Sequence, residues 1–165
     1  MKRYVLGIGL SIGAVFGMAG SFVQPGPVQN VLWEISSLGL IFGSVMQAAR
    51  SARLGEDEVA VGFALLATAE AVMSGGTAAG ISGGQSAFAA GTGLYVPALL
   101  FISLPRTYAI WVRVFGILSA IPFAVTSFKI FAGGEVLPAA SLPGIGYGLM
   151  TIAIVGWVLK SIRKT

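Results

Sequence analysis

The chain has 165 residues, of which 56% are hydrophobic and 10% are charged, and its net charge is +4. Soluble domains carry about 25% charged residues, so this composition excludes a water-facing globule and indicates a chain embedded in lipid. Because cysteine and histidine are both absent, disulfide scaffolds, thiolate metal sites and histidine-dependent catalysis are excluded. We therefore expect a membrane protein that is not an enzyme and needs no cofactor or metal.

Six stretches of the chain are long and apolar enough to cross the hydrocarbon core as helices, which takes about 20 residues each. Short segments rich in proline, glycine or charge separate them, and connections this short favour antiparallel neighbours. The sequence thus predicts an all-α, integral membrane bundle of six transmembrane helices in antiparallel hairpins, with one domain over residues 1–165 and no soluble domain. The predicted spans are 4–23, 28–49, 59–80, 86–104, 108–131 and 143–160.

The distribution of basic residues predicts how the bundle is oriented. Lysine and arginine stay on the cytoplasmic side of short loops, and with six crossings nearly all of them fall on one side while Lys129 lies toward the other. Both termini are therefore expected in the cytoplasm, and we expect a bacterial-type inner (plasma) membrane. The positive charge is explained by the lipid bilayer as partner, without nucleic acid. The residues on the cytoplasmic side are Lys2, Arg3, Arg50, Arg53, Arg106, Arg113, Lys160, Arg163 and Lys164.

Glycines repeat at intervals of four in the first two predicted spans. Small residues at this spacing share one face of a helix and let two backbones approach closely in lipid. We expect these faces to pack helices within the chain, and contact with a second copy or with another membrane protein is the alternative. The packing residues are Gly9, Gly13, Gly17, Gly39 and Gly43.

Four ionisable residues are candidates inside the predicted spans, and one of them, Arg113, is a shallow residue on the cytoplasmic side that can extend to the surface. The other three lie near the midplane or in the outer half. A charge near the membrane centre costs at least about 2.5–3.5 kcal/mol, so such residues indicate a site or a buried pair. Glu70 lies about 16 Å from the cytoplasmic end of its span, close to the midplane, and Glu34 lies about 9 Å below the outer end. Lys129 is within a turn of the outer end of the fifth span.

Hydroxyl residues accompany Glu70, Glu34 and Lys129 at helical spacing. Three polar stripes result, and if they face one another they form a cavity open to the outside for a proton or a small solute. One alternative is that Glu70 and Glu34 only hold helices together, with Glu70 either protonated or paired with Lys129. Lys129 would otherwise extend to the surface or pair there with Glu135. The stripes contain Glu70, Ser74 and Thr77; Glu34, Ser37 and Ser44; and Ser119, Pro122, Thr126 and Lys129.

Prolines and aromatic residues complete the predicted features. Pro97 and Pro122 interrupt the hydrogen bonding of two spans and are predicted to be hinges. Trp33, Trp157 and Tyr108 lie near span ends, which predicts that they anchor the helices at the membrane interface.

Two functions remain open from the sequence. The first is a permease or channel for a proton, ion or small solute, with Glu70 as the titrating group, because a midplane carboxylate flanked by hydroxyls exceeds what packing requires. The second is a non-catalytic scaffold or accessory subunit of a larger membrane complex, which would use its glycine faces to bind a partner.

Overall fold

The computed structural model describes residues 3–77 and 84–162. Within these residues it contains six α-helices, each long and apolar enough to cross a membrane. This confirms the prediction of an all-α membrane protein; residues 78–80, the end of the third predicted span, lie outside the described part. The helices are α1 (Arg3–Phe22), α2 (Pro27–Arg53), α3 (Asp57–Thr77), α4 (Gln85–Ser103), α5 (Ile110–Phe131) and α6 (Ser141–Ile162).

Glycine in the left-handed conformation terminates α2 and α5. Gly55 has a φ of 74° and Gly133 a φ of 89°, values that residues with a Cβ rarely adopt. After α2 the amide of Glu56 donates to the carbonyl of Ser51 at 2.9 Å, the hydrogen bond that closes a Schellman motif. The same motif follows α5, so both helices end where the sequence places glycine.

The six helices form a closed ring in chain order. Among the described residues, the backbone of each helix contacts the helices before and after it, and α1 also contacts α6. A ring of this kind encloses an interior bordered by all six helices. Side chains that point inward can therefore meet across the ring although their helices do not touch.

The residues that α2 buries are mostly small or polar, whereas its large apolar residues are exposed. The buried positions include Ser36, Gly39 and Gly43, while Leu38 and Phe42 are exposed. A soluble helix would show the opposite pattern. In lipid, however, large apolar side chains face the hydrocarbon and small residues allow helices to pack closely.

The glycine faces of α1 and α2 pack against each other within the chain. A Cβ added at Gly9 would lie 3.0 Å from the backbone of Gly43, and one added at Gly39 would lie 2.7 Å from the backbone nitrogen of Gly13. Gly17, farther along α1, faces Ser36. The five glycines predicted to pack helices therefore all lie at the α1–α2 contact.

Large aromatic side chains fill part of the ring interior. Trp157 of α6 is fully buried and packs edge-on against Phe63 of α3, with ring centroids 5.1 Å apart. This position differs from the interfacial one predicted for Trp157, because the inward face of α6 near its end is covered by neighbouring helices. The indole nitrogen of Trp157 has no hydrogen-bond partner among the described residues.

A cluster of polar residues joins three segments at one end of the ring; we call it the basic cluster, comprising Gln47, Arg50, Ser51, Glu56, Tyr108, Lys160 and Ser161. Gln47 donates to the Tyr108 hydroxyl at 3.2 Å and accepts from Ser161 at 3.3 Å. Lys160 lies 3.0 Å from Glu56 and also over the ring of Tyr108. Tyr108 is buried here within the protein, and its burial, reinforced by the negative charge of Glu56, raises the pKa of its hydroxyl.

Candidate functional site

A cavity of about 490 Å³ lies inside the ring, toward the helix ends remote from the basic cluster. Its walls come from α1, α2, α3, α6, the first turn of α4 and the connection between α5 and α6. This volume falls in the range of about 300–1,000 Å³ that is typical of small-molecule sites. None of the described residues that line it belongs to α5.

Glu34 and Glu70 lie in the cavity wall and are held by reciprocal hydrogen bonds between α2 and α3. Ser37 of α2 donates to Glu70 of α3 at 2.8 Å, and Ser74 of α3 donates to Glu34 of α2 at 2.7 Å. Each helix thus presents one carboxylate and one hydroxyl to the other. The arrangement follows from helical spacing, because the carboxylate and the serine are three residues apart on α2 and four apart on α3.

Glu70 has a second hydroxyl partner on a third helix. Tyr95 of α4 is fully buried and donates to the other carboxylate oxygen of Glu70. Glu70 itself is only 3% exposed, so both of its oxygens are fixed by neighbouring side chains. Hydrogen bonds from hydroxyls lower the cost of burying a carboxylate, although they do not neutralise its charge.

An aromatic cluster of Tyr95, Phe123 and Tyr147 borders the cavity on the side of α4 and α5. The ring centroids are 4.7 Å apart for Tyr95 and Phe123, 5.0 Å for Phe123 and Tyr147, and 6.0 Å for Tyr95 and Tyr147. Tyr147 lines the cavity, whereas Tyr95 and Phe123 are fully buried behind it. Phe63 and Trp157, which pack against each other, lie between the cavity and the basic cluster, because Trp157 falls between Ile154 of the cavity wall and Lys160 on α6.

Four of the residues predicted for a site come together in the cavity wall, namely Glu34, Ser37, Glu70 and Ser74. Thr77 ends α3, and its side chain lies outside the described part of the chain. The sequence analysis placed these residues on two separate stripes. The structure adds that the two stripes face each other.

The polar stripe of α5 is separated from this cavity. Lys129 is exposed, and Thr126 is buried but does not line the cavity. Of the three stripes that were expected to meet, only those of α2 and α3 line the cavity. The stripe of α5 does not, because the aromatic cluster lies between α5 and the cavity. Pro97 and Pro122 lie inside α4 and α5, which both continue past them.

Tyr95 and Tyr147 are the principal site residues that the sequence analysis missed. A tyrosine in the middle of a span carries a hydroxyl that needs a partner in lipid, and this signal was available in the sequence. Trp33, predicted as an interfacial anchor, also lines the cavity. Gln29 lines the cavity as well, and its side-chain amide donates to the carbonyl of Gly20 in the last turn of α1 and to that of Val23, which follows the helix.

The polar side chains of the cavity wall include carboxylates and hydroxyls, which suit a ligand that can donate hydrogen bonds to them. Among the described residues no three acidic side chains gather in a group that could hold a metal ion. Comparison of the chain with protein-family models, with curated proteins and with solved structures finds no match. The function is therefore argued from the geometry of the cavity.

Proposed function

We propose that the protein is a small multi-pass permease that admits a proton or small solute from the outer side of a bacterial-type plasma membrane into the cavity. The observation that carries this proposal is the 490 Å³ cavity inside the ring with Glu34 and Glu70 in its wall. Packing alone would favour filling such a space, because side chains that line an unfilled volume lose contacts there and a carboxylate in a membrane span is costly.

The proposed topology has antiparallel neighbouring helices and both termini in the cytoplasm. Contacts between α1 and α2 support the antiparallel arrangement, since Gly9 faces Gly43 while Gly20 faces Trp33. The basic cluster supports the orientation, because lysine and arginine favour the cytoplasmic side. In this orientation the cavity opens to the outside.

A permease fits the cavity better than an open channel does. The fully buried rings of Phe63 and Trp157 pack against each other on the way from the cavity to the basic cluster. Passage would require these rings to move, as in a protein whose cavity opens to one side at a time. Glu70 is the group that takes up and releases a proton in this cycle.

Accessibility of single cysteines tests whether the cavity is open to one side. The natural chain has no cysteine, so Ser74→Cys introduces a unique thiol in the cavity wall. We expect a membrane-impermeant maleimide to label it from the outer side of oriented vesicles and not from the other. Ser44→Cys is the matched control, because Ser44 is fully buried and does not line the cavity. Equal, negligible labelling of both variants would contradict an open cavity.

Proton-linked flux tests the role of Glu70. In reconstituted vesicles, Glu70→Gln should abolish proton flux, because glutamine keeps the size of the side chain but cannot release a proton. Glu58→Gln, an exposed position at the start of the same helix, should leave flux unchanged. Unchanged flux with increased stability in Glu70→Gln would instead indicate that Glu70 only holds helices together.

The alternative function, a scaffold or accessory subunit, depends on faces that are free to bind a partner or a second copy. Gly9, Gly13, Gly39 and Gly43 are buried between α1 and α2. The motifs that suggested this alternative therefore already have a packing role within the chain, which favours the permease.

A further inference from the structure

The charges in the cavity are all of one sign. Glu34 and Glu70 are the charged residues among its described lining, and no lysine or arginine joins them there. Residues 77–83, whose side chains are not described, contain no charged residue in the sequence. The carboxylates therefore lack a protein cation as a counter-charge, and in a low-dielectric interior such a group is stabilised by a proton or by a cationic ligand.

The basic residues with described side chains all lie outside the cavity wall, and Arg53, Arg106 and Lys129 among them are exposed. The other three have partners elsewhere. Arg50 and Lys160 belong to the basic cluster, where Arg50 donates to the carbonyl of Ser161 at 3.1 Å. Arg113 donates to the carbonyls of Ser103 and Leu104 at the end of α4. These contacts occupy the cations at the opposite end of the ring from the cavity.

The walls of the cavity differ strongly in polarity. The α2 and α3 side carries the two carboxylates with Ser37 and Ser74, whereas α6 contributes no charged residue and is mainly apolar, with Tyr147, Met150 and Ile154 beside the single hydroxyl residue Thr151. The backbones of α6 and α3 do not contact each other among the described residues, so the polar and apolar sides stand apart. A ligand that fits both sides has one charged end and an apolar body.

The size and chemistry of the cavity favour an organic ligand over a bare metal ion. Hard cations need about six or more oxygen ligands at close range, and most of this wall is apolar. Aromatic side chains attract organic cations through their ring faces, and Tyr147 and Trp33 both line the cavity.

We infer that the cavity binds an organic monocation, with its charged group at Glu34 and Glu70 and its apolar body against α6. The inference rests on the proposed function, because it names the class of solute that the permease admits. It also explains why two carboxylates face a space whose wall is mostly apolar. A bound monocation would reduce the charge of the two ionised carboxylates from −2 to −1, which lowers the cost of holding them in a low-dielectric interior.

A pair of ligands that differ in charge but hardly in shape tests this inference. Binding of 2-phenylethylammonium and of 2-phenylethanol to the purified full-length protein in lipid nanodiscs is measured by calorimetry. We expect the cation to bind at least about tenfold more tightly than the alcohol, a difference of about 1.4 kcal/mol. Sodium or potassium ions in molar excess should not displace the bound organic cation.

Variants assign the binding to the carboxylates. Glu34→Gln and Glu70→Gln should each weaken binding of the cation at least about fivefold and leave binding of the alcohol unchanged, because only the charge has been removed. Glu58→Gln, with the same loss of charge outside the cavity, should bind the cation as the natural protein does. If Glu70→Gln does not fold, Glu34→Gln decides the question, because Glu34 is the less buried carboxylate.

The contrary results are equally specific. Equal affinity for the cation and the alcohol, displacement by sodium ions, or unchanged cation binding in a folded Glu34→Gln variant would each overturn the inference. The proposed function is tested separately, and it would be contradicted if the impermeant maleimide did not label Ser74→Cys. One-sided labelling of that thiol without preference for the cation would leave the permease in place and remove only its proposed substrate class.

Discussion

Glu34 of α2 accepts a hydrogen bond from Ser74 of α3 at 2.7 Å, and the reverse pair, Ser37 of α2 with Glu70 of α3, lies beside it at 2.8 Å. Each helix therefore supplies both a donor and an acceptor to the same contact. Sliding α3 along α2 would break both bonds at once, and unpaired polar groups are costly in lipid. The two pairs thus fix the register of α2 against α3 while placing both carboxylates in the cavity wall.

A double-mutant cycle measures the energy of this contact. The cycle uses Glu34→Gln, Ser74→Ala and the combined variant. We expect their free energies of unfolding in detergent to give a coupling of about 0.6–1.7 kcal/mol, as for other hydrogen bonds between helices in membranes. The control cycle combines Ser74→Ala with Glu58→Gln, whose positions are far apart on α3. A coupling for Glu34 and Ser74 no larger than in this control would contradict the contact.

Close packing of α1 against α2 predicts that glycine is required at the centre of their contact. A Cβ at Gly43 would lie 2.6 Å from the backbone nitrogen of Leu10, which cannot move aside as a flexible side chain does. Gly43→Ala should therefore lower the free energy of unfolding by about 1–3 kcal/mol. Gly148→Ala in α6 meets nothing within 4 Å and should be neutral or stabilising, because alanine favours helix. Equal effects of the two substitutions would contradict the packing described.

The buried hydroxyl of Tyr108 predicts a loss of stability in alkaline solution. Burial raises the pKa of Tyr108 above its usual value near 10, so above pH 10 the unfolded chain loses this proton while the folded chain keeps it. Stability contributed by the neutral hydroxyl is complete below pH 10 and falls by up to about 1.4 kcal/mol per pH unit above it.

Thermal unfolding between pH 8 and 11 measures this effect. Tyr108→Phe should show a smaller decrease over that range than the natural protein, since phenylalanine cannot titrate. Tyr4→Phe, at an exposed position, should follow the natural protein. Parallel curves for the natural protein and Tyr108→Phe would show that this hydroxyl is not protected from ionisation by the fold.

The proposed topology is tested by labelling at helix ends. Ala52→Cys and Ala132→Cys place unique thiols at exposed positions next to the ends of α2 and α5, and Thr165→Cys places one at the C-terminus. We expect an impermeant reagent to label Ala52→Cys and Thr165→Cys from the cytoplasmic side and Ala132→Cys from the outer side. Labelling of Ala52→Cys and Thr165→Cys from opposite sides would contradict an even number of crossings between Ala52 and the C-terminus.

The helices were largely predictable because their signals are local. Runs of apolar residues, basic residues at their ends and glycines such as Gly55 and Gly133 are each determined by the solvent or the backbone at that position. The six spans therefore agree with the observed helices to within a few residues at most ends. The pairs Glu34 with Ser37 and Glu70 with Ser74 were also apparent, since helical spacing alone puts the members of each pair on one face.

The sequence by itself determined that this chain has six helices long and apolar enough to cross a membrane, with two carboxylates inside those spans, because each residue's partition between lipid and water depends mainly on its own chemistry. Only the tertiary structure decided which polar faces meet. The closed ring turns the stripes of α2 and α3 toward each other, brings Tyr95 onto Glu70, and leaves Lys129 exposed away from the cavity. Helix rotation and neighbour choice are set by many weak contacts summed around the ring, and no single stretch of sequence carries that sum.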